Sequence, residues 1–449
     1  MPCLEFDPLF YLTSNPDLAG VDNFAGHFIK HGKGEGRHGT LASLLIAENL
    51  DQIAVEEGLI PQHEVSKNNP LYVKSLSKSL RMIDNDLRFF SRKHYFICYP
   101  DIENQSIESF VHYLKYGRHE GRLTSISLSK NIFINQDKIN NNLPYIVIGV
   151  HEASKTGAPI VGMDLAREMR DQYNIIFVSM KDGPLLEDAK SLYPVVIIAT
   201  ESDNINKFFV DFISEKFQVE DAIFSSSACV QFMRPMSLSG CRITCLVHEF
   251  LEYMTHVISI IYVCDLLVFS SKELLKSWQY ALTDLERDPS TIMVLPQPSS
   301  STSSRVLPKE EARAAVAAAT GLDLDGATLV VGAGQIQIRK GTDIFLQVGN
   351  QLKREKGKFV SVWIGQPISE FEMSFGVWFH AQLERSRDRD GKLAVHFEPV
   401  GPLYSVLMDA ADVFLVTSRL DPLPNVALDA GARNVPVIAF AGATGLADL

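Results

Sequence analysis

Two successions of short apolar runs, each broken by amphipathic stretches, constrain this chain more than any other feature. The first comprises "YIVIGV" (145–150), "NIIFVSM" (174–180), "YPVVIIA" (193–199), "AIFSSS" (222–227), "RITCLVH" (242–248) and "LLVFSS" (266–271). A breaker-rich stretch, "LPQPSSSTSSR" (295–305), follows, and a second succession begins: "TLVVGAG" (328–334), "FVSVWIG" (359–365), "LAVHFE" (393–398), "VFLVTS" (413–418) and "VPVIAF" (435–440). Runs of this length, rich in β-branched residues and separated by helical patterns, predict βαβ units and parallel sheets. The expected fold class is α/β, with two Rossmann-like doubly wound domains over 144–300 and 327–449, joined by a linker and helix over 301–326. Open parallel sheets bind ligands at the carboxyl ends of their strands, so the site is expected there, in the cleft between the two domains.

Ahead of these domains the chain repeats itself. "FDPLFYLTSNPDLAGVDNFAGHFIKHGKGEGR" (6–37) aligns with "FSRKHYFICYPDIENQSIESFVHYLKYGRHEGR" (90–122) across one single-residue gap. Phe6 pairs with Phe90, Tyr11 with Tyr95, Pro16-Asp17 with Pro100-Asp101, His27 with His112, Gly32 with Gly117 and Glu35-Gly36-Arg37 with Glu120-Gly121-Arg122. Each unit reads as two short helices joined by a Pro-Asp turn and closed by glycine. Residues 1–128 are therefore expected to form a mainly helical region with repeats at 6–39 and 90–123, and 129–143 to form a linker. The units resemble the "FDPxxYLxxNPD…HYxxxGxxEGR" module that accompanies bacterial polysaccharide glycosyltransferases and some surface-associated proteins.

Composition removes several function classes. Of 449 residues, 46% are hydrophobic and 21% charged, as in ordinary soluble globular proteins. A formal charge of −12 argues against nucleic acid as the main partner, while leaving room for a local basic pocket around one phosphorylated ligand. The six cysteines contain no CxxC pair, which predicts reduced, mostly buried thiols in a cytosolic setting. Cys241 and Cys245 lack a second ligand pair, so no metal site is expected. No signal peptide is evident at the N-terminus. The most apolar stretch, "VISIIYVCDLLVF" (257–269), is 13 residues long and carries Asp265, well short of the ~20 that span a bilayer.

The most informative segment is "VFLVTSRLDPLPNVALDAGARNVPVIAF". A strand ending at Ser418 and a helix beginning near Pro424 place Asp421 in the loop at the strand's carboxyl end and Asp429 on the helix's second turn. Pro422 and Pro424 lack N–H groups, and Pro424 suits a helix's first turn. The amides of Leu423, Asn425 and Val426 are left as donors beside a positive helix end, an arrangement that holds phosphates. A carboxylate there suits neutral hydroxyls, since it can accept two hydrogen bonds from a diol. The segment resembles the E-x7-E element of the retaining, "group 1" GT-B glycosyltransferases, with aspartate in place of both glutamates. The resemblance implies that Asp421 contacts the donor sugar, that the amides of Leu423 to Val426, across Pro424, contact sugar or diphosphate, and that Asp429 holds the nucleotide's ribose.

Three further stretches carry candidate residues. "GAGQIQIRKGTDIFLQV" (332–348) follows a strand with Gly332 and Gly334 but lacks the third glycine of a dinucleotide fingerprint, which weakens an NAD-dependent reading. It resembles the family's "GR…KG" phosphate element. Lys340-Gly341 matches directly, Gln335 stands at the arginine position, and Arg339 is the candidate to supply that charge. "VHEASKTGAP" (150–159) resembles the opening loop of bacterial polysaccharide glycosyltransferases, with Gly157 expected to let backbone approach a ligand. "CLVHEFLEYM" (245–254) puts His248 at a strand end, where the family often carries a histidine near the donor sugar; His151 is a weaker candidate of the same kind. Triplets at Asp84-Asn85-Asp86, Asp323-Leu324-Asp325 and Asp388-Arg389-Asp390 lie in polar segments, away from convincing nucleotide-binding strands, and read as chance.

Together the resemblances imply a GT-B glycosyltransferase that uses a nucleotide-diphosphate sugar, needs no cofactor or metal and retains configuration at the anomeric carbon. His248, Asp421 and Lys340 are its expected catalytic residues. The implied acceptor is a glycan or lipid-linked glycan in bacterial polysaccharide or cell-envelope assembly, in the cytoplasm or peripherally at the inner face of the membrane. The chain stops at Leu449, the last residue of "FAGATGLADL", where the family continues, so the second domain is expected to be incomplete, with exposed apolar surface. The competing expectation is a non-catalytic GT-B remnant or glycan-binding scaffold, favoured by Gln335 and the shorter aspartates.

Overall fold

The structure is a computed structural model that describes residues 6, 11, 15–18, 23–56, 92–102, 109–124, 128–299, 306–365, 373–388 and 391–449. Two compact units emerge: residues 1–134 with 197–216, and residues 135–196 with 217–449. Asp84-Asn85-Asp86 and Arg389-Asp390 lie outside the described residues, as does most of the breaker-rich stretch after Ser299.

In the first unit the aligned segments make equivalent contacts. Tyr11 pairs its hydroxyl with His27 Nδ1 at 3.1 Å, and Tyr95 does the same with His112 at 3.2 Å. Arg37 forks onto Asp17 at 2.9 and 2.8 Å, and Arg122 onto Asp101 at 3.0 and 2.7 Å. Each arginine also donates Nε at 2.6 Å to the glutamate two residues before it. A Cβ on Gly32 would stand 2.1 Å from the Tyr11 hydroxyl, and one on Gly117 2.2 Å from that of Tyr95, so both helix ends need glycine to seat the tyrosine.

The unit boundary differs from the expected one. Helix Asp203–Lys216 falls in the first unit because it packs on helix Arg92–Cys98: His94 Nε2 lies 3.3 Å from Asp211 Oδ2, and the His94 ring meets Phe208 edge-on. The expected linker at 129–143 contains a strand, Ile132–Ile134. After that strand, Asn140 and Leu143 are pinned by Asn174, which accepts from Asn140 N at 2.9 Å and donates to the carbonyls of Asn140 and Leu143 at 2.8 and 2.9 Å.

The second unit holds two parallel sheets. The first of them comprises β1 (Tyr145–Val150), β2 (Asn174–Ser179), β3 (Val195–Ile198, whose last two residues are counted with the first unit), β4 (Val219–Phe224), β5 (Arg242–Val247), β6 (Leu266–Phe269) and β7 (Ile292–Val294), which neighbour one another in the order β3-β2-β1-β4-β5-β6-β7 and, within the second unit, make up its first half. Between β1 and β2 runs α1 (Gly157–Met169). The second half contains β8 (Thr328–Ala333), β9 (Phe359–Ile364), β10 (His396–Glu398), β11 (Val413–Val416) and β12 (Val437–Ala439), in the order β10-β9-β8-β11-β12. Sequence order reverses between β8 and β11, so the loops after these two strands open into one crevice.

Period-2 alternation explains why this second sheet is covered on both faces. Leu329, Val331, Val362, Ile364, Phe414 and Val416 share one core with Ala312 and Val316 of helix Lys309–Thr320. Val330 and Trp363 point the other way, into a core with Phe345, Phe379 and Val395. The helix expected inside a 301–326 linker is thus part of the second half. Arg313 fixes it there, donating to Asp412 at 3.0 Å and to the Ala327 carbonyl at 2.7 Å. At the sheet's edge, Ile438 and Phe440 are about half exposed.

Candidate functional site

The crevice between β8 and β11 brings together most of the residues singled out in the sequence. After β8 the chain runs through Gln335 to Arg339, Lys340 and Gly341, and helix α2 (Thr342–Leu352) begins. Gly341 caps α2 with φ of 64°, and a Cβ there would lie 1.9 Å from the Thr417 carbonyl oxygen. Only glycine allows the two loops to approach this closely. Thr417 Oγ1 donates to the Lys340 carbonyl at 3.3 Å, and Arg419 N to that of Arg339 at 2.9 Å.

These contacts set two cations against one carboxylate. Lys340 Nζ donates to Asp421 Oδ2, and Arg339 Nη1 stands 4.0 Å from Asp421 Oδ1. Ser418 Oγ reaches the same Oδ2 at 3.4 Å, and the Asp421 side chain is only 6% exposed. Arg419 is committed elsewhere, forking onto Asp343 at 2.8 and 2.7 Å. Gln335 is exposed and accepts from Gln337 at 3.2 Å, so the cation beside Asp421 comes from Arg339, four residues after the expected arginine position.

After β11, helix α3 (Asn425–Ala432) starts one residue later than expected, with Pro424 as its N-cap. The Pro424 carbonyl accepts from Ala427 and Leu428 at 3.0 and 3.3 Å. The N–H groups of Leu423, Asn425 and Val426 have no protein partner among the described residues, so the helix end presents them as open donors. Asp429, on the second turn, is 6% exposed, and its Oδ2 accepts from the Tyr404 hydroxyl at 2.7 Å. Burial is the chief cause that pushes the Tyr404 phenol well above its ordinary range, followed by the Asp429 charge, so this donor stays protonated.

Asn425 ties α3 to the first half. Its Nδ2 donates to the Gly157 carbonyl at 3.2 Å, while its Oδ1 accepts from Gln297 at 2.8 Å; Gln297 also donates to the Leu423 carbonyl at 2.9 Å. Gly157, expected to let backbone approach a ligand, is the first residue of α1, and the protein atom a Cβ there would meet is Asn425 Nδ2 at 3.7 Å, an ordinary contact.

His248 follows β5, as expected, and makes its described contacts within the first half. Among the described residues its Nε2 is buried without a partner, as is Nδ1 of His151 after β1. Burial lowers the His248 pKa, with His151 acting in the same direction against the opposing charge of Glu249, so the ring is neutral at neutral pH. Glu249 accepts from Ser226 and Ser227 hydroxyls at 2.5 and 2.6 Å and from His248 N at 3.2 Å, which fixes the strand end.

Tyr404, Gln297, Ser226 and Ser227 escaped the sequence reading. None belongs to a local pattern, because each meets a site residue more than twenty positions away. Of the acidic triplets, Asp323 is taken by Lys358 at 2.6 Å, and Asp388 by Lys353 at 3.0 Å. Among the described residues no group of three or more metal-ligating side chains converges, and no helix is long and apolar enough to cross a membrane.

No protein-family model and no curated protein matches the sequence. Solved structures do. The Anabaena protein Alr3699/HepE in complex with UDP superimposes with a TM-score of 0.54 over 68% of this chain and 82% of its own, at 15% identity. A glycosyltransferase from Rickettsia africae gives 0.51 over 68% and 81%, at 12% identity. The N-terminal domain of a Candida albicans trehalose-6-phosphate phosphatase gives 0.51 over 70% and 86%, at 13% identity. The chain has the GT-B fold. In GT-B terms the first half of the second unit is the amino-terminal Rossmann-like domain and the half from Lys309 the carboxyl-terminal one.

Proposed function

We propose that the chain is a glycosyltransferase that takes a sugar from a nucleotide-diphosphate donor. The observation that carries this reading is the convergence of Lys340, Arg339 and Asp421 beside the open amino end of α3, at the point where strand order reverses. Two cations and three free amides suit a diphosphate, and a buried carboxylate among them suits neutral hydroxyls. The Alr3699/HepE structures with UDP and with UDP-glucose support the nucleotide-sugar class.

In the proposed reaction Lys340 and the amides of Leu423, Asn425 and Val426 hold the diphosphate and stabilise the charge that builds as it leaves, work done here by side chains and helix end with no metal invoked. Asp421 orients the sugar, Asp429 holds the ribose and neutral His248 contacts the sugar or the developing cation. Retention follows if a departing phosphate oxygen deprotonates the acceptor hydroxyl on the same face. The acceptor is a glycan or lipid-linked glycan, in polysaccharide or envelope assembly at or near the inner face of the membrane. The N-terminal repeats support that setting through their resemblance alone.

Calorimetry with UDP, GDP and dTDP on the full chain tests the reading. Asp429→Ala is expected to weaken the bound nucleotide about tenfold or more, the scale of a lost charge-assisted hydrogen bond. Asp421→Ala is expected to leave nucleotide binding at least as tight as in the wild type and to impair the steps that need the sugar. Equal, negligible effects of the two changes would contradict the assignment.

A further inference from the structure

The pairing of Asp421 with Lys340 raises a question that the donor site alone does not answer. Lys340 is the cation assigned to the diphosphate in the proposed donor site, yet its Nζ is already bound to a carboxylate, with side-chain exposures of 17% and 6% for the two partners. The carboxylate cannot withdraw as a whole. Asp421 N donates to the Ala443 carbonyl at 2.9 Å, and the Pro422 carbonyl accepts from Gly445 N at 2.9 Å, so the main chain is held on both sides. Lys340 is fixed at its main chain by Thr417 and Gly341 but carries a flexible stem. Arg339 beside it leaves the three-group cluster with one net positive charge, since Arg419 is neutralised by Asp343.

We propose that the Asp421–Lys340 ion pair is a selectivity device: it competes with a bare diphosphate for Lys340 and yields to a ligand that brings sugar hydroxyls and diphosphate together. A diphosphate alone must draw Lys340 away while Asp421 stays buried and charged, left with Ser418 Oγ at 3.4 Å and Arg339 at 4.0 Å, and the loss of its nearest cation opposes binding. A nucleotide sugar removes the conflict. Its phosphates take Lys340 as its hydroxyls donate to the vacated Oδ2, so the site exchanges one satisfied arrangement for another. The device therefore favours the intact donor over the nucleotide left after transfer, and it aids product release. This inference rests on the donor-site reading for its ligand, although the competition itself concerns only these side chains and an anion.

The test is calorimetry of the full chain and of Asp421→Asn with pyrophosphate, UDP and UDP-glucose, repeated with GDP, GDP-mannose, dTDP and dTDP-glucose. Asparagine keeps the shape and the Ser418 contact but releases Lys340. Pyrophosphate and the matching nucleoside diphosphate are expected to bind the variant about five- to tenfold tighter than wild type, and the nucleotide sugar more weakly, so that the preference shrinks or inverts. Asp421→Ser gives the same comparison should the asparagine variant fold poorly. Pyrophosphate binding no tighter in either variant than in wild type overturns the proposal, as does the absence of binding in all three proteins. Tighter pyrophosphate binding without any nucleotide binding would sustain the competition and remove the donor-site reading.

Discussion

At the residue scale the site depends on one glycine as much as on its charged groups. Gly341 sits at φ of 64° against the Thr417 carbonyl, and any side chain would both strain the backbone and push the loops apart. Gly341→Ala is expected to lower stability by about 2 kcal/mol or more, read as a fall in urea midpoint at unchanged slope. Lys340, Asp421 and the proline-spaced amides were legible in the sequence because each belongs to a local motif with a physical reason for its spacing. Tyr404 was not, since a tyrosine on the first turn of helix Leu403–Ala410 carries no sign that its hydroxyl meets Asp429, 25 positions on. Tyr404→Phe should loosen that carboxylate and weaken nucleotide binding about three- to tenfold, with a smaller loss for the 2′-deoxy nucleotide, as calorimetry with both would show.

At the scale of elements, the apolar runs marked the strands well in the interior of each sheet and less well at the edges. "FVSVWIG" became Phe359–Ile364, whereas only His396–Glu398 of "LAVHFE" pairs, opposite Val362–Ile364. The start of α3 was placed to within one residue, since two prolines bracket it. What no local pattern conveys is that Asn425 faces out of α3 toward Gly157 and Gln297. Asn425→Leu removes those bonds while keeping the free amides. Amide exchange is expected to quicken in 157–162 and 423–428, with a local destabilisation of about 1–3 kcal/mol.

At the scale of the whole molecule, the doubly wound halves followed from alternation and length, while the partition of the chain did not. Helix Asp203–Lys216 reads as one more crossover helix after β3, yet His94 and Asp211 assign it to the repeat-bearing unit. Contacts between residues more than a hundred positions apart leave no periodic trace. The charge distribution also exists only at this scale. A chain of net charge −12 concentrates Arg339 and Lys340 at one crevice, an arrangement that suits the anionic ligand proposed for it.

Under the proposed function a nucleotide sugar binds in this crevice, and a crystal structure of the full chain soaked with UDP-glucose, GDP-mannose or dTDP-glucose is the decisive measurement. The diphosphate is predicted against the amides of Leu423, Asn425 and Val426, with Lys340 turned onto it, the sugar on Asp421 and the ribose on Asp429. A nucleotide sugar bound away from the β8–β11 crevice, or in it with its diphosphate remote from α3, would contradict the account.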